Sequence, residues 1–157
     1  MSDMENVTVI KTEGLDKLLK ALGAKMPTAR VGVLGDKNVR STKGATSNAT
    51  VGAAHEFGTS KLPMRSFLRV PITEHLQAKM EAAGALDKQV LRQVIALGSV
   101  LPWLQKIAVI AEGIVGEAFD TGGFGKWPPS MMDYKKNHQT LVETQQLRNS
   151  ITSEVKE

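Results

Sequence analysis

The chain of 157 residues contains no cysteine. Disulfide staples, thiolate metal sites and cysteine nucleophiles are therefore excluded. Aromatic residues make up only 4% of the sequence, so an aliphatic core is expected. No stretch approaches the roughly 20 apolar residues that a membrane-spanning helix needs, and no membrane partner is expected. The opening Met1-Ser2-Asp3-Met4-Glu5 is acidic and has no hydrophobic region, unlike a signal peptide. Dense basic clustering is also missing. The net charge of +4 is spread along the chain, with one local concentration at Lys37, Arg40 and Lys43. A solvated basic loop and a weak electrostatic contact with DNA or an acidic partner are both compatible with that.

What is present reads as an ordinary small α+β protein. At this length a single domain over residues 1–157 is expected, large enough to bury about two-thirds of the unfolded surface. The pattern predicts a small antiparallel sheet packed with one short and two or three longer helices. Val7-Thr8-Val9-Ile10 reads as a short strand rich in β-branched residues. Leu15, Leu18, Leu19 and Leu22 form one apolar stripe, predicting a helix over 14–26 that Pro27 closes. Residues 29–34 read as a second strand. Residues 36–49 hold almost no apolar side chain and read as a flexible polar loop. Residues 50–57 resume an apolar run, so the loop is expected to join two strands as an extended hairpin.

After Gly58 a turn leads to Pro63. Ser66 can cap a helix, but Pro71 moves its expected start towards Val70 or Pro71. Gly84 weakens and divides this helix, and Leu86, Val90, Leu91, Val94 and Ile95 keep helical spacing beyond it. Gly98-Ser99 makes the next break, and Pro102 fits a first helical turn. Leu101, Leu104, Ala108, Ala111, Val115 and Ala118 then follow the cleanest 3-4 spacing in the chain. Thr121-Gly122-Gly123 ends that helix. A loop with two aromatics, a short helix at 131–137, a turn or helical turn at 141–147 and a last strand at 149–155 complete the pattern.

His55-Glu56 is the pair that invites an enzymatic reading. A zinc-protease motif would need a second histidine one helical turn later, and positions 58 and 59 are Gly and Thr. His75 and His138 have no ligand spacing. Gly122-Gly123-Phe124-Gly125 follows a helix and lacks the Gly-Lys-Ser/Thr of a phosphate loop. No catalytic, metal or cofactor site is therefore expected. His55 and Glu56 are assigned to hydrogen bonds with neighbouring backbone, Phe57 to anchoring the core, and Gly58 to the turn. Arg65 and Arg69, four apart, are expected to share a helical face, in salt bridges or against a partner.

Taken in order, these blocks resemble a known family. His55-Glu56-Phe57-Gly58-Thr59 is followed by Pro63-x-Arg65-x-Phe67-Leu68-Arg69 and, after the helices, by Trp127-Pro128-Pro129 with Lys135 and Lys136. The series ends in Leu141-Val142-x-Thr144-Gln145-x-Leu147-x-x-Ser150-Ile151. The arrangement, covering about residues 50–155, is similar to the tail-completion and virion-morphogenesis proteins of tailed bacteriophages, among them the Mu-like morphogenesis proteins and the lambdoid head–tail joining proteins. The family usually carries glycine where this chain has Gln145, which suggests a backbone turn with positive φ.

The resemblance implies a non-catalytic virion subunit of the neck or tail end, assembled in the host cytoplasm. It would form a homo-oligomeric ring, often a hexamer, that completes the tail and meets the connector, the tail terminator and the tail tube. The segments 66–97 and 101–119 are candidates for lateral ring contacts. The loop carrying Lys37, Arg40 and Lys43 is a candidate for non-specific contact with DNA in the channel. The competing reading is a nucleic-acid-binding accessory protein that uses the same basic loop.

Overall fold

The computed structural model describes residues 27–39, 46–128 and 145–156, with Asp16, Lys17, Leu19, Lys20 and Gly23. Those five are helical, within the helix expected at 14–26. The strand expected at 7–10, the short helix at 131–137, Arg40 and Lys43 lie outside the described residues.

The elements run β1 (Thr28–Val33), a 3-10 turn (Gly35–Asn38), α1 (Asn48–Phe57), α2 (Arg69–Ala82), α3 (Lys88–Leu97), α4 (Leu101–Thr121), α5 (Gln146–Asn149) and β2 (Ile151–Lys156). The class is α+β. β1 and β2 pair antiparallel, from Thr28 opposite Lys156 to Val33 opposite Ile151. α4 is the central element, packing against both strands and against α2. Its 3-4 stripe explains why: Ala108, Ala111, Ile114, Val115 and Ala118 are all buried, and the small alanines let neighbouring backbone come close.

Two expectations are corrected here. Residues 50–57 are not a strand, and the preceding segment is not a hairpin connection; it joins β1 to a helix. Ser47 caps α1, its Oγ accepting from the Thr50 N–H at 3.2 Å. The Asn48 side chain donates to the Lys37 carbonyl at 2.8 Å, and the Ala49 N–H donates to Asn38 Oδ1 at 2.7 Å. Both ends of the expected polar loop are therefore structured.

The core is mostly aliphatic, as composition suggests, but aromatics gather at its middle. Its centre is Phe67, Val115, Phe119 and Leu147, with the Phe67 and Phe119 rings 5.1 Å apart and Trp127 edge-on to Phe119 at 5.9 Å. A few aromatics, all placed together, fill the middle.

Before α5, Gln145 has φ +51° and ψ −1°, the left-handed conformation. The turn inferred from the family's glycine is thus present with a residue that bears a Cβ. That conformation costs a non-glycine residue about 1–2 kcal/mol, partly offset by the unfolded-state entropy that glycine adds. Gln145→Gly is therefore expected to stabilise the fold by up to about 1 kcal/mol. A denaturation midpoint that stayed put or fell would contradict this.

Candidate functional site

α1 delivers His55 and Glu56 in its last turn, and the chain must then reverse. Gly58, at φ +73°, makes this possible. A Cβ there would lie 3.0 Å from the Met64 nitrogen and 3.2 Å from the Leu62 carbonyl oxygen. Thr59 and Leu62 exchange backbone hydrogen bonds across the turn, and the Arg65 N–H donates to the His55 carbonyl at 2.7 Å. The returning segment is thereby fixed alongside the end of α1.

This places the Glu56 carboxylate at the start of α2. Oε1 accepts from Ser66 Oγ at 2.5 Å and from the Arg69 N–H at 3.1 Å. Oε2 accepts from the Phe67 and Leu68 N–H groups at 2.9 and 3.0 Å. Ser66 Oγ in turn accepts from the Val70 N–H at 3.0 Å. A helix start leaves its first N–H groups without intrahelical partners. Here a carboxylate from the preceding helix supplies most of the acceptors, placing negative charge at the positive end of the α2 dipole. Pro71 is compatible because this first turn needs no N–H from it. The Arg69 guanidinium adds little, its Nε 4.0 Å away on a side chain that is 60% exposed.

Glu56 is only 4% exposed, and donors occupy both of its oxygens. A general base needs a free lone pair facing substrate; this carboxylate has its lone pairs directed into its own backbone. An open hollow of about 440 Å³ lies beside it, lined by apolar groups such as Val31, Val33, Gly52, Phe57, Leu68 and Ile72.

His55 is half-buried, and its Nδ1 has no hydrogen-bond partner among the described residues. Burial, and secondarily the Arg65 charge, hold its pKa below the usual 6.5. The unfolded chain then binds the proton more tightly than the folded one. Stability is expected to be full above pH 6.5 and to fall as the pH drops from 6.5 through the lower folded value. His55→Gln should flatten that limb of a pH–stability curve measured by urea denaturation. An unchanged slope would show that another group is responsible.

Arg65 is itself buried, and burial lowers its guanidinium pKa. It precedes α2, whereas Arg69 opens α2 and is exposed, so the expected shared helical face does not exist. Phe57 does not anchor the core: it is 68% exposed, while Phe67 is fully buried. The Trp127 indole Nε1–H donates to the Ser66 carbonyl at 3.0 Å. Gly123, at φ +72°, leaves room for that indole, which an added Cβ would strike. Leu147 joins the Phe67 cluster, and Ser150 Oγ donates to the Leu147 carbonyl at 2.6 Å. Gly52 lets α1 approach, since a Cβ there would sit 3.3 Å from Phe67 and 3.4 Å from Leu147.

Glu56, Ser66, Phe67, Trp127 and Leu147 therefore converge on one core and one helix start, while Phe57 and the Arg69 side chain stay outside it. Phe119 and Gly52 belong to the same assembly, and sequence reasoning did not single them out. Phe119 does lie one residue beyond the last alanine of the α4 stripe, a signal that could have found it. Lys37 is an exposed residue of the 3-10 turn, well outside this cluster in sequence. Among the described residues no three or more His, Asp or Glu side chains gather in a way that could hold a metal ion, and no helix is long and apolar enough to cross a membrane. No protein-family model, no curated protein and no solved structure matches this chain.

Proposed function

We propose that this protein is a structural subunit of the neck or tail end of a tailed phage, forming a ring that completes the tail and joins it to the head connector. The observation that carries the reading is the convergence around Glu56. The blocks that resemble the tail-completion family are distant in sequence, yet they supply one connected set of contacts. Glu56 braces α2, Ser66 receives Trp127, and Phe67 packs with Phe119 and Leu147. A motif with this use specifies a fold, and the most enzyme-like residue in the chain is committed to hydrogen bonds within it. The reading is also supported by exposed apolar side chains on separate elements, including Phe57, Met64, Leu91, Leu97 and Val109. A closed ring of more than two subunits needs two different, mutually complementary surfaces on each copy.

The test is the composition of particles. Virions or tails purified away from free protein should contain this chain at a fixed copy number, and particles made without it should carry tails that fail to join heads. Normal joined particles lacking the protein would overturn the reading.

A further inference from the structure

α3 is held less firmly than the helices on either side of it. It is 10 residues long, and Val94 is its one buried residue. Val90 and Ile95 are half-buried, and the rest are exposed. Among the described residues, none of its side chains takes part in a hydrogen bond or an ion pair. Asp87, at its N-cap, makes no side-chain capping bond. The neighbours differ. α2 is tied to α4 by Lys79 Nζ, 2.6 Å from Glu117 Oε1. α4 buries Ala108, Ala111, Ile114, Val115, Ala118 and Phe119.

The chain on both sides of α3 is nevertheless fixed. Before it, Trp103 Nε1–H donates to the Ala85 carbonyl at 2.9 Å and Lys106 Nζ to the Ala83 carbonyl at 2.6 Å, and Ala85 is buried. After it, Val100 is buried and the Leu101 N–H donates to Ser99 Oγ at 3.2 Å. Gly98, the C-cap of α3, has φ +60°, and among the described residues an added Cβ would meet nothing within 4 Å. It is a bend in open space, free to change its backbone angles. Residues 86–98 are therefore a strap anchored at both ends to the start of α4 and attached in the middle by one valine.

An isolated helix shorter than about 12–15 residues is marginal in water even when rich in alanine. The β-branched Val90, Val94 and Ile95 lower the helical tendency of this one further. α3 thus exists while it is docked, and undocking and unwinding are one event. That event gives up far less packing than global unfolding does, and it leaves both anchors in place. We infer that residues 86–98 open as a unit, α3 unwinding while α4 and the sheet stay folded. The opening belongs to the single subunit and holds whether or not copies assemble.

The test is amide hydrogen exchange of the full-length chain, read by mass spectrometry in a series of low urea concentrations, with the protein dilute so that contacts between copies do not contribute. Amides of α3 should exchange at least about 100-fold faster than those of residues 111–118 in α4, and with a shallower urea dependence, because less surface is exposed. Val94→Ala should speed exchange in α3 about tenfold or more and leave α4 unchanged. Leu91→Ala, which trims a side chain that is 51% exposed, should speed it by less than about threefold. Brief trypsin treatment should cut after Lys88 or Arg92 well before it cuts after Lys79 in α2 or Lys106 in α4. Equal rates and urea slopes in α3 and α4 would overturn the inference, because the two would then unfold together. So would a Val94→Ala effect spread evenly over both helices, a Leu91→Ala effect as large as that of Val94→Ala, or cleavage at Lys106 as early as at Arg92.

Discussion

Glu56→Ala should lower the unfolding free energy by about 3–5 kcal/mol, more than any surface change in this protein. The size comes from the number of donors left behind. The N–H groups of Phe67, Leu68 and Arg69 and the Ser66 hydroxyl all lose their acceptor together. An unmet buried donor costs about 1–3 kcal/mol, and water entering a truncated site recovers part of that. Two other effects are smaller. The ion pair with exposed Arg69 contributes at most about 1 kcal/mol, and the charge–dipole attraction at α2 about 0.3–2 kcal/mol. Glu56→Gln separates the contributions. It preserves shape but presents an NH2 group where an acceptor is required, and should forfeit half or more of the same energy. Chemical denaturation followed by circular dichroism measures both variants. If Glu56→Gln were as stable as the parent, the carboxylate would not be bracing α2, and a chemical role for it would be open again.

Phe67→Ala should cost a similar amount, about 3–5 kcal/mol. Phe67 is fully buried and touches the other members of the central cluster. Most of its ring therefore leaves a void when removed, because α4 and α5 are held in place by their own contacts and cannot collapse into it. Phe57→Ala is the matched control. Phe57 is 68% exposed, and its removal should change stability by no more than about 0.5 kcal/mol. Equal losses at the two positions, in the same denaturation experiment, would contradict the assignment of the core. The Glu56 and Phe67 effects should not add, since the Phe67 N–H is one of the groups that Glu56 holds.

These two residues also show how far the sequence could be read. α4 was legible from end to end, because its apolar positions keep one period and glycines close it. β1 and β2 were legible within two residues, as was the break at Gly84. α1 was not. Val51-Gly52-Ala53-Ala54 is too short an apolar run to separate strand from helix by periodicity, and the cap at Ser47 lay inside what read as loop. Glu56 was expected to bond backbone, but nothing in residue type marks which backbone. Its acceptor role toward the N–H groups of residues 67–69 depends on the reversal at Gly58, a tertiary fact. The choice between Phe57 and Phe67 was hidden for the same reason: once 50–57 is a helix, Phe57 turns outward. Gln145 shows the reverse case. A glutamine disfavours the left-handed conformation, yet the backbone at Gln145 adopts it and accepts the strain.

The pairing of β1 with β2 has a consequence for how the molecule is made. β1 ends at Val33 and its partner begins only at Ile151. During synthesis β1 emerges long before β2 exists to pair with it, while the intervening helices can form from local contacts as they appear. Ribosome-bound intermediates thus carry β1 without its β2 partner, and an unpaired strand edge is the kind of surface that sticks to other chains. Sheet closure comes last, and it converts an adhesive nascent polypeptide into a finished subunit.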